Sequence, residues 1–249
     1  MTSLEFAVRT ETLDSYFEKL AVMGGVVEEY VEERHTASPS TQLRTSPDGD
    51  ALVLSTHDQI LGGPSGQVYI GCSFPAHDDY RVEIQELGLR IGRVLAGHGV
   101  VSRFGVDFLA TRQSKRERWR LIALEINLRV VGTTHPFLAL KFLTGGELNP
   151  ATGLFYSLNH RAKYYKATDN LQSESYRGLL PEDLMDIVTV NQLHYNHRTE
   201  SGVLFHLIGA LSEFGKLGLT AIANNHREAQ QLYDRTLAIL AAETRYGRL

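Results

Sequence analysis

Apolar residues follow two different periodicities along the first 150 positions of the chain. Spacings of three and four residues predict helices, and Leu13, Phe17 and Leu20 would share one face of a helix over 12–21. A broad apolar face predicts a second helix over 80–97. A third is predicted over 135–146, where two glycines suit a helix C-terminus.

Short strands are predicted between these helices, from alternating patterns and turn residues. A strand over 26–33 is followed by the polar stretch 35–49, in which Pro47, Asp48 and Gly49 favour a turn, and by a returning strand over 51–59. Together these segments suggest a hairpin. A short strand is predicted over 67–74. Strands over 103–112 and 119–129, joined by the charged turn 114–118, make the clearest hairpin in the sequence.

The composition changes over 147–153, which marks either a domain border or only a surface loop. Beyond it we expect a strand over 161–167, a helix over 202–216 despite its glycines, and an amphipathic helix over 226–244. Helices and hairpins thus occur together along the chain.

Composition and charge limit the classes of function. Apolar residues make up 43% and charged residues 22% of the 249 positions, which is ordinary for a soluble protein with a real core. The net charge of −4 provides no positive field for nucleic acid, and no segment reaches the roughly 18 apolar residues of a membrane span. The single cysteine, Cys72, excludes an internal disulfide and a cysteine zinc site. Since the first residues do not resemble a signal peptide, we expect a cytoplasmic protein.

Three polar side chains stand out on the clearest hairpin. Alternate side chains of a strand share a face, so Glu125 and Asn127 point the same way, and Asp107 can lie across the hairpin from them. The same alternation gives this face three further residues, Trp119, Leu121 and Ala123. The other face, apart from one arginine, is predicted to be core and carries Ile122, Leu124 and Ile126.

These side chains are candidate metal ligands because carboxylate and amide oxygens are what Mg²⁺ prefers in proteins. Arg129 continues the alternating face, and its guanidinium could hold a phosphate with two hydrogen bonds. The alternative is a solvated hairpin face with ordinary charges, and spacing alone does not exclude it.

Motifs along nearly the whole chain resemble the ATP-grasp superfamily. The VDF strand, the hairpin and the EINLR strand resemble its metal-binding core, and VVEEYV resembles its hinge strand, whose backbone contacts adenine. A closer likeness is to the pheganomycin-type peptide ligase branch, and it is carried by SPSTQ, STHDQILGGPSGQ, GRVLAGHGV, RFGVDF, EINLRVVGTTHPF and LIGALSEFGKLG. The resemblance implies an α+β fold. It would consist of an ATP-grasp C-terminal catalytic half, which is an antiparallel sheet with helices, followed by a C-terminal α+β domain.

The resemblance also implies roles for individual residues. The adenine of ATP would contact the hinge residues Glu28, Glu29, Tyr30 and Val31. Mg²⁺, or Mn²⁺ in its place, would bind Asp107, Glu125 and Asn127. The substrates would contact the loop and helix start formed by Gly132, Thr133 and Thr134. Arg129 and His135 would be the catalytic residues, and Arg129 would also contact the phosphates of ATP. Because His135 neighbours a helix N-cap, the alternative is that its role is structural.

The implied reaction joins a small-molecule or peptide carboxylate to an amine through an acyl phosphate made from ATP. The implied divisions are 1–31, a remnant of the ATP-lid subdomain ending in the hinge strand; 32–146, the metal- and phosphate-binding subdomain; and 147–249, the C-terminal domain. The family places lysines and a glycine-rich loop before the hinge, whereas the first 25 residues contain Lys19 alone, within a predicted helix, and no glycine-rich loop. The sequence leaves three explanations open. A homodimer or a partner chain, as in a split ligase, supplies an N-terminal lobe; the sequence is truncated; or the chain is a non-catalytic nucleotide- or metal-binding module.

Overall fold

The computed structural model of the protein describes residues 6, 10–31 and 33–246. Its helices are α1 (Leu13–Met23), α2 (Arg81–Gly97), α3 (Thr134–Thr144), α4 (Pro181–Val190), α5 (Leu211–Phe214) and α6 (His226–Tyr246). Its strands are β1 (His35–Ala37), β2 (Pro39–Thr45), β3 (Ala51–Gly62), β4 (Val68–Phe74), β5 (Arg103–Arg112), β6 (Arg120–Asn127), β7 (Glu147–Leu148), β8 (Phe155–Tyr156), β9 (Ala162–Gln172), β10 (Gly202–His206) and β11 (Lys216–Ala223). These elements confirm the predicted α+β class. Of the helices in this described part, none has the length and apolar character needed to cross a membrane.

The eleven strands of the described chain form one antiparallel sheet. Strand β5 pairs with β6 along one edge and with β1 and β2 along the other. The order continues through β3, β4, β9, β11 and β10, while β7 and β8 pair beside the start of β9. Because β4 pairs with β9, segments on both sides of residue 147 contribute to the same sheet. The division of the chain at that residue stays a prediction.

One face of this sheet is covered by helices α2 and α6. Ile84 of α2 packs with Leu43 and Phe104 of the strands in a fully buried cluster. Gly88 and Gly92 bring α2 close to the sheet, since an added Cβ at either position would lie within 3.2 Å of a strand side chain. Helix α6 packs in the same way on β9 and β11.

The opposite face of the sheet carries α3, which is held there by an aromatic cluster. Phe74 of β4 stacks on Tyr165 of β9 with ring centroids 4.8 Å apart, and Phe137 of α3 packs against Phe74 at 5.7 Å. The next residue of β9, Lys166, points to Tyr233 of α6, so Tyr165 faces away from α6. The cluster therefore fixes α3 and its first turn on the face that α2 and α6 leave uncovered.

The predicted strand over 26–33 is wrong for the residues that the structure describes. Residues 26–31 and Glu33 form no strand, and Glu32 lies outside the described residues. Val27 is fully exposed, and Val26 is 84% exposed. A strand needs a neighbour for its backbone hydrogen bonds, and no described strand pairs with this segment. The alternating pattern therefore predicted a strand where the described chain offers no partner.

The first predicted hairpin has the correct turn and the wrong first strand. Gly49, whose φ is 85°, closes a turn that joins β3 to β2 rather than to residues 26–33. Strand β2 is polar but almost entirely buried. Burial is tolerated because Thr41 donates a hydrogen bond to the backbone of Ile84, and Gln42 donates one to Thr133. Because β2 is polar, the hydrophobic pattern of the sequence did not predict it as a strand.

The predicted helix over 202–216 is also wrong. The segment contains β10, one turn of 3-10 helix over Ile208–Ala210, the short helix α5 and the first residue of β11. Strands β10 and β11 pair along five residues. Gly202 and Gly215 have positive φ values at the junctions of these elements. The glycines thus mark the ends of short elements. The apolar residues of two strands joined by a helical turn happen to have the spacing expected of one helix.

Candidate functional site

The three candidate metal ligands lie next to one another on β5 and β6. Asp107 pairs directly with Glu125, and Gly105 pairs with Asn127 two positions along. Directly paired residues share a face of the sheet. Asp107 also pairs with Ser40, which puts these side chains on the same face as the aromatic cluster. The structure therefore brings the three side chains together on the face that carries α3.

A β-bulge on strand β6 determines which face these residues occupy. Asp107 pairs with Glu125, but Phe108 pairs with Ala123, so Leu124 is an extra residue on β6. The bulge reverses the alternation of side chains between these pairs. Glu125 consequently lies on the opposite face from Ala123, although the plain alternation of the sequence predicted one shared face.

The predicted composition of the two faces of β6 is therefore wrong. Trp119 and Leu121 pack against the buried cluster beneath α2, on the side away from the candidate ligands. The predicted core positions Leu124 and Ile126 are 47% and 45% exposed, and Ile122 is half-buried. A sequence pattern carries no signal for a single-residue bulge, so the error was not avoidable from the sequence.

Two amide side chains hold the carboxylate of Asp107. Gln59 Nε2 donates to Oδ1 at 2.6 Å, and Asn127 Nδ2 donates to Oδ2 at 3.0 Å. Burial raises the pKa of Asp107 to about 6, and the negative charge of Glu125 acts in the same direction. The hydrogen bond from Gln59, the charge of Arg129 and the hydrogen bond from Asn127 lower it. A carboxylate beside a second carboxylate in partly dry surroundings is a place where added positive charge would be favourable.

The donor atoms of this cluster fit a hard divalent cation. Asp107 and Glu125 supply carboxylate oxygens, and Asn127 can present its amide oxygen if the amide group turns by half a rotation. Within the described ranges, no group of three or more His, Cys, Asp or Glu side chains could hold a metal ion. The candidate set thus depends on the amide, with water and phosphate oxygens expected to complete the coordination of Mg²⁺.

Arg129 does not continue the strand as predicted. Strand β6 ends at Asn127, and the backbone nitrogen of Arg129 donates to the Asn127 carbonyl at 2.7 Å, which marks a tight turn. The Arg129 side chain is exposed. Its positive charge nevertheless lowers the pKa of Asp107, so the guanidinium lies within electrostatic range of the carboxylates.

The candidate substrate residues form the start of α3. Gln42 Nε2 donates to Thr133 Oγ1 at 2.9 Å, and Thr134 Oγ1 donates to Gln42 Oε1 at 2.8 Å. Both threonines are buried, so their hydroxyls fix the helix start on β2. Gly132 is exposed, and an added Cβ there would lie 3.0 Å from the ring of Tyr69. The exposed surface of this segment therefore consists of the backbone at Gly132 and the side chain of His135.

His135 is exposed and faces a second histidine, His206, which the sequence did not indicate as a site residue. The ring centroids of His135 and His206 of β10 are 4.4 Å apart. Gln42 and Gln59 were missed as well, because each lies far in sequence from the residue it contacts. Only the pairing register of β2 and β3 could have located them.

The predicted adenine-contacting residues lie before the first strand. Glu28, Glu29 and Tyr30 are exposed and Val31 is half-buried. No hydrogen bond or strand pairing connects them to other described residues. Their role stays a prediction.

Comparison with known proteins identifies two family models that match the chain. One, described as IQCH-like, ATP-grasp, matches residues 6–151, and the other, described as the PGM1 C-terminal domain, matches residues 183–236. The L-propargylglycine–L-glutamate ligase of Streptantibioticus cattleyicolor is 37% identical over 227 residues, which are 91% of this chain and 45% of that protein. The chain therefore spans less than half the length of this relative.

Solved structures with a similar fold include carboxylases. A pyruvate carboxylase of Rhizobium etli, solved with acetyl coenzyme A, is 16% identical with a TM-score of 0.56, covering 89% of this chain and 20% of that one. The phosphoribosylaminoimidazole carboxylase ATPase subunit of Aquifex aeolicus is 15% identical with a TM-score of 0.52, covering 86% and 58%. At these identities the likeness shows the fold alone.

Proposed function

The chain belongs to the ATP-grasp family, and from this premise we propose that it provides the metal- and phosphate-binding half of an ATP-dependent carboxylate–amine ligase. The family implies the use of ATP and a divalent metal ion. The observation that carries the proposal is the convergence of Asp107, Glu125 and Asn127 on one face of the sheet. The name of the 37% identical relative supports amide-bond formation as the reaction.

In the proposed reaction, an oxygen of the substrate carboxylate attacks the γ-phosphorus of ATP, and ADP leaves. The amine nitrogen of the second substrate then attacks the acyl carbon, phosphate leaves, and the nitrogen loses a proton. Asp107, Glu125 and Asn127 would hold Mg²⁺, or Mn²⁺ in its place, and the bound ion would offset the negative charge of the phosphates. Arg129 would contact the phosphate that is transferred.

The remaining roles follow from the same proposal. Glu28, Glu29, Tyr30 and Val31 would contact adenine through their backbone groups. The substrates would lie along Gly132, Thr133 and Thr134, with the exposed His135 beside the reacting groups. Residues 1–31, 32–146 and 147–249 would be the lid remnant, the metal- and phosphate-binding subdomain and the C-terminal domain.

We further propose that a second copy or a partner chain supplies a lobe over this site. The relative is more than twice as long as the matched segment. Support comes from exposed apolar side chains along β6 and the loop after it, namely Leu124, Ile126, Leu128 and Val130. Such exposure on an edge strand is typical of a surface that another protein segment covers.

A hydroxylamine trap tests the proposed reaction. Hydroxylamine takes the place of the amine and converts an acyl phosphate into a hydroxamate. The assembly that includes the lobe, a homodimer or the complex with the partner chain, should therefore produce hydroxamate and ADP in equal amounts from Mg²⁺, ATP and a panel of L-amino acids. Glu125→Gln should abolish this product. Glu86→Gln, which changes an exposed glutamate of α2, should behave like the parent protein.

Release of AMP and diphosphate in place of ADP would contradict the acyl-phosphate route. Magnesium-dependent nucleotide binding without hydroxamate from any carboxylate tested would favour the second candidate, a non-catalytic nucleotide-binding module. Analytical ultracentrifugation of the same preparation would show whether a homodimer is present.

A further inference from the structure

A pair of facing histidines lies beside the proposed reaction centre. His135, in the first turn of α3, packs against His206 at the end of β10 with ring centroids 4.4 Å apart and an interplanar angle of 38°. His135 lies three residues after Gly132, which passes over Tyr69. The two imidazoles therefore belong to the same side of the sheet as the candidate metal ligands.

Gly218 makes room for the ring of His206. His206 pairs directly with Gly218 of β11, and a Cβ at Gly218 would collide with the imidazole. The ring thus lies across a strand position that has no side chain. His206 Nδ1 is buried and has no hydrogen-bond partner in the described part of the chain. A buried nitrogen without a partner is costly and is a candidate for contact with a ligand.

The carboxylate nearest to this pair along the sheet is that of Asp169. Gly218, which pairs with His206, lies opposite Asp169 and Asn170 of β9, where the register of β9 and β11 shifts. The charge of Asp169 also raises the pKa of His206 and the pKa of Tyr69. The side chain of Asp169 is half-buried and forms no hydrogen bond or ion pair with another described residue. Asp107 also raises the pKa of Tyr69. Tyr69 therefore lies within electrostatic range of both carboxylates.

The geometry points to an amine-binding subsite, in which His206, His135 and Asp169 bind the amino group of the substrate that attacks the acyl phosphate. This inference rests on the proposed ligase function. It names the residues that would recognise the second substrate, and none of the family roles implied by the motifs includes His206 or Asp169.

The chemistry of the three groups favours a cation with N–H donors. The pKa of His206 is lowered to about 4, mainly by burial and also by the neighbouring His135, while the charge of Asp169 acts in the opposite direction. Near neutral pH the His206 ring is therefore uncharged and can accept a hydrogen bond from an ammonium group. Asp169 adds a charge-assisted acceptor, and such hydrogen bonds are about twice as strong as neutral ones. An anion would form no favourable charge interaction with these three side chains.

Nuclear magnetic resonance of the histidine rings tests the subsite directly. The probe is L-alaninamide, which has an α-ammonium group and no carboxylate, and the matched control probe is N-acetyl-L-alaninamide, which lacks the ammonium group. The protein has ten histidines, and single substitutions assign their ring signals. We expect saturable shifts of the His135 and His206 signals with L-alaninamide only.

Two variants and a control identify the groups that bind. Asp169→Asn keeps the shape of the side chain and removes its charge, so binding should weaken about tenfold or more. His206→Ala should do the same. His98→Ala changes an exposed histidine at the end of α2 and should leave binding unchanged. Absence of ring shifts, or equal shifts with both probes, would overturn the inference, as would unchanged binding in Asp169→Asn.

The same samples separate this inference from the proposed function. The titration with L-alaninamide needs neither nucleotide nor metal, whereas the metal-ligand cluster is tested by adding Mg²⁺ and ADP. Nucleotide binding without ring shifts would overturn the subsite and leave the ligase proposal intact. Ring shifts without nucleotide binding would support the subsite and contradict the nucleotide site.

Discussion

The buried histidine of β3 makes the stability of the fold dependent on pH. His57 is fully buried, and its Nε2 lies 2.6 Å from the hydroxyl of Tyr165. Its ring also contacts Phe74 in the aromatic cluster. Burial alone lowers the pKa of His57 to about 3. The folded protein therefore keeps this imidazole neutral, whereas the unfolded chain takes up a proton near an ordinary pKa of about 6.5.

The size of the effect follows from the difference between the two pKa values. A group whose folded pKa is depressed contributes its full stability above the unfolded pKa, and this contribution is lost as the pH falls toward the folded value. At about pH 5, the unfolded state binds nearly one more proton at His57 than the folded state. The free energy of unfolding should therefore be lower by about 2 kcal/mol than at about pH 7.5.

Other groups contribute to the total pH dependence. His206, whose pKa burial lowers to about 4, should add to the loss in acid. Asp107, whose pKa burial raises to about 6, should oppose it, because the folded state takes up this proton first. A variant that changes only His57 isolates the contribution of this residue to the pH dependence of stability. Gln at position 57 can still form a hydrogen bond with Tyr165 and does not titrate.

Urea unfolding at about pH 7.5 and pH 5 is the assay for this effect. The parent protein should lose about 2 kcal/mol more between the two pH values than His57→Gln loses. His98→Gln, which changes an exposed histidine, should show the pH dependence of the parent. Equal losses in the parent and in His57→Gln would show that His57 does not contribute to the pH dependence, whatever the stability of the variant at one pH.

Three further substitutions have expected outcomes. Asn127→Ala should weaken magnesium-dependent nucleotide binding by roughly 10- to 100-fold in calorimetry with the fold intact by circular dichroism, and unchanged affinity would remove the proposed metal role. Gly71→Ala should lower stability in urea by about 1–3 kcal/mol, because a Cβ there would collide with the Ala167 carbonyl of β9. The control Gly97→Ala, which meets nothing within 4 Å at the end of α2, should be neutral or stabilising by up to about 1 kcal/mol. Gln42→Leu should lower the melting temperature by several degrees, because it removes two buried hydrogen bonds at the start of α3; a shift no larger than that of an exposed substitution would contradict the anchoring role.

The sequence predicted the elements whose patterns are local. Helix α2 is observed over Arg81–Gly97, one residue from its predicted start, and α3 ends where a left-handed glycine, Gly145, follows it. The hairpin of β5 and β6 is likewise a local structure, and its register brings Asp107 and Glu125 together. Local periodicity and turn chemistry were sufficient in these cases.

The elements that were missed depend on contacts between distant segments. Strand β2 is polar and became recognisable only through the strands and the helix that bury it. The bulge at Leu124 is a property of pairing rather than of composition. Gln59 and His206 face their partners only after the sheet has formed. Sequence reasoning thus identified the carboxylates of the candidate site but not the side chains that surround them.

Calorimetric titration of the purified chain with ADP, with and without Mg²⁺, is the decisive test of the proposed metal- and phosphate-binding site. We expect binding that requires Mg²⁺ and that is lost or strongly weakened in Glu125→Gln. Binding of the same affinity in the absence of Mg²⁺, or no binding at about millimolar nucleotide, would contradict a metal- and phosphate-binding site at Asp107, Glu125 and Asn127.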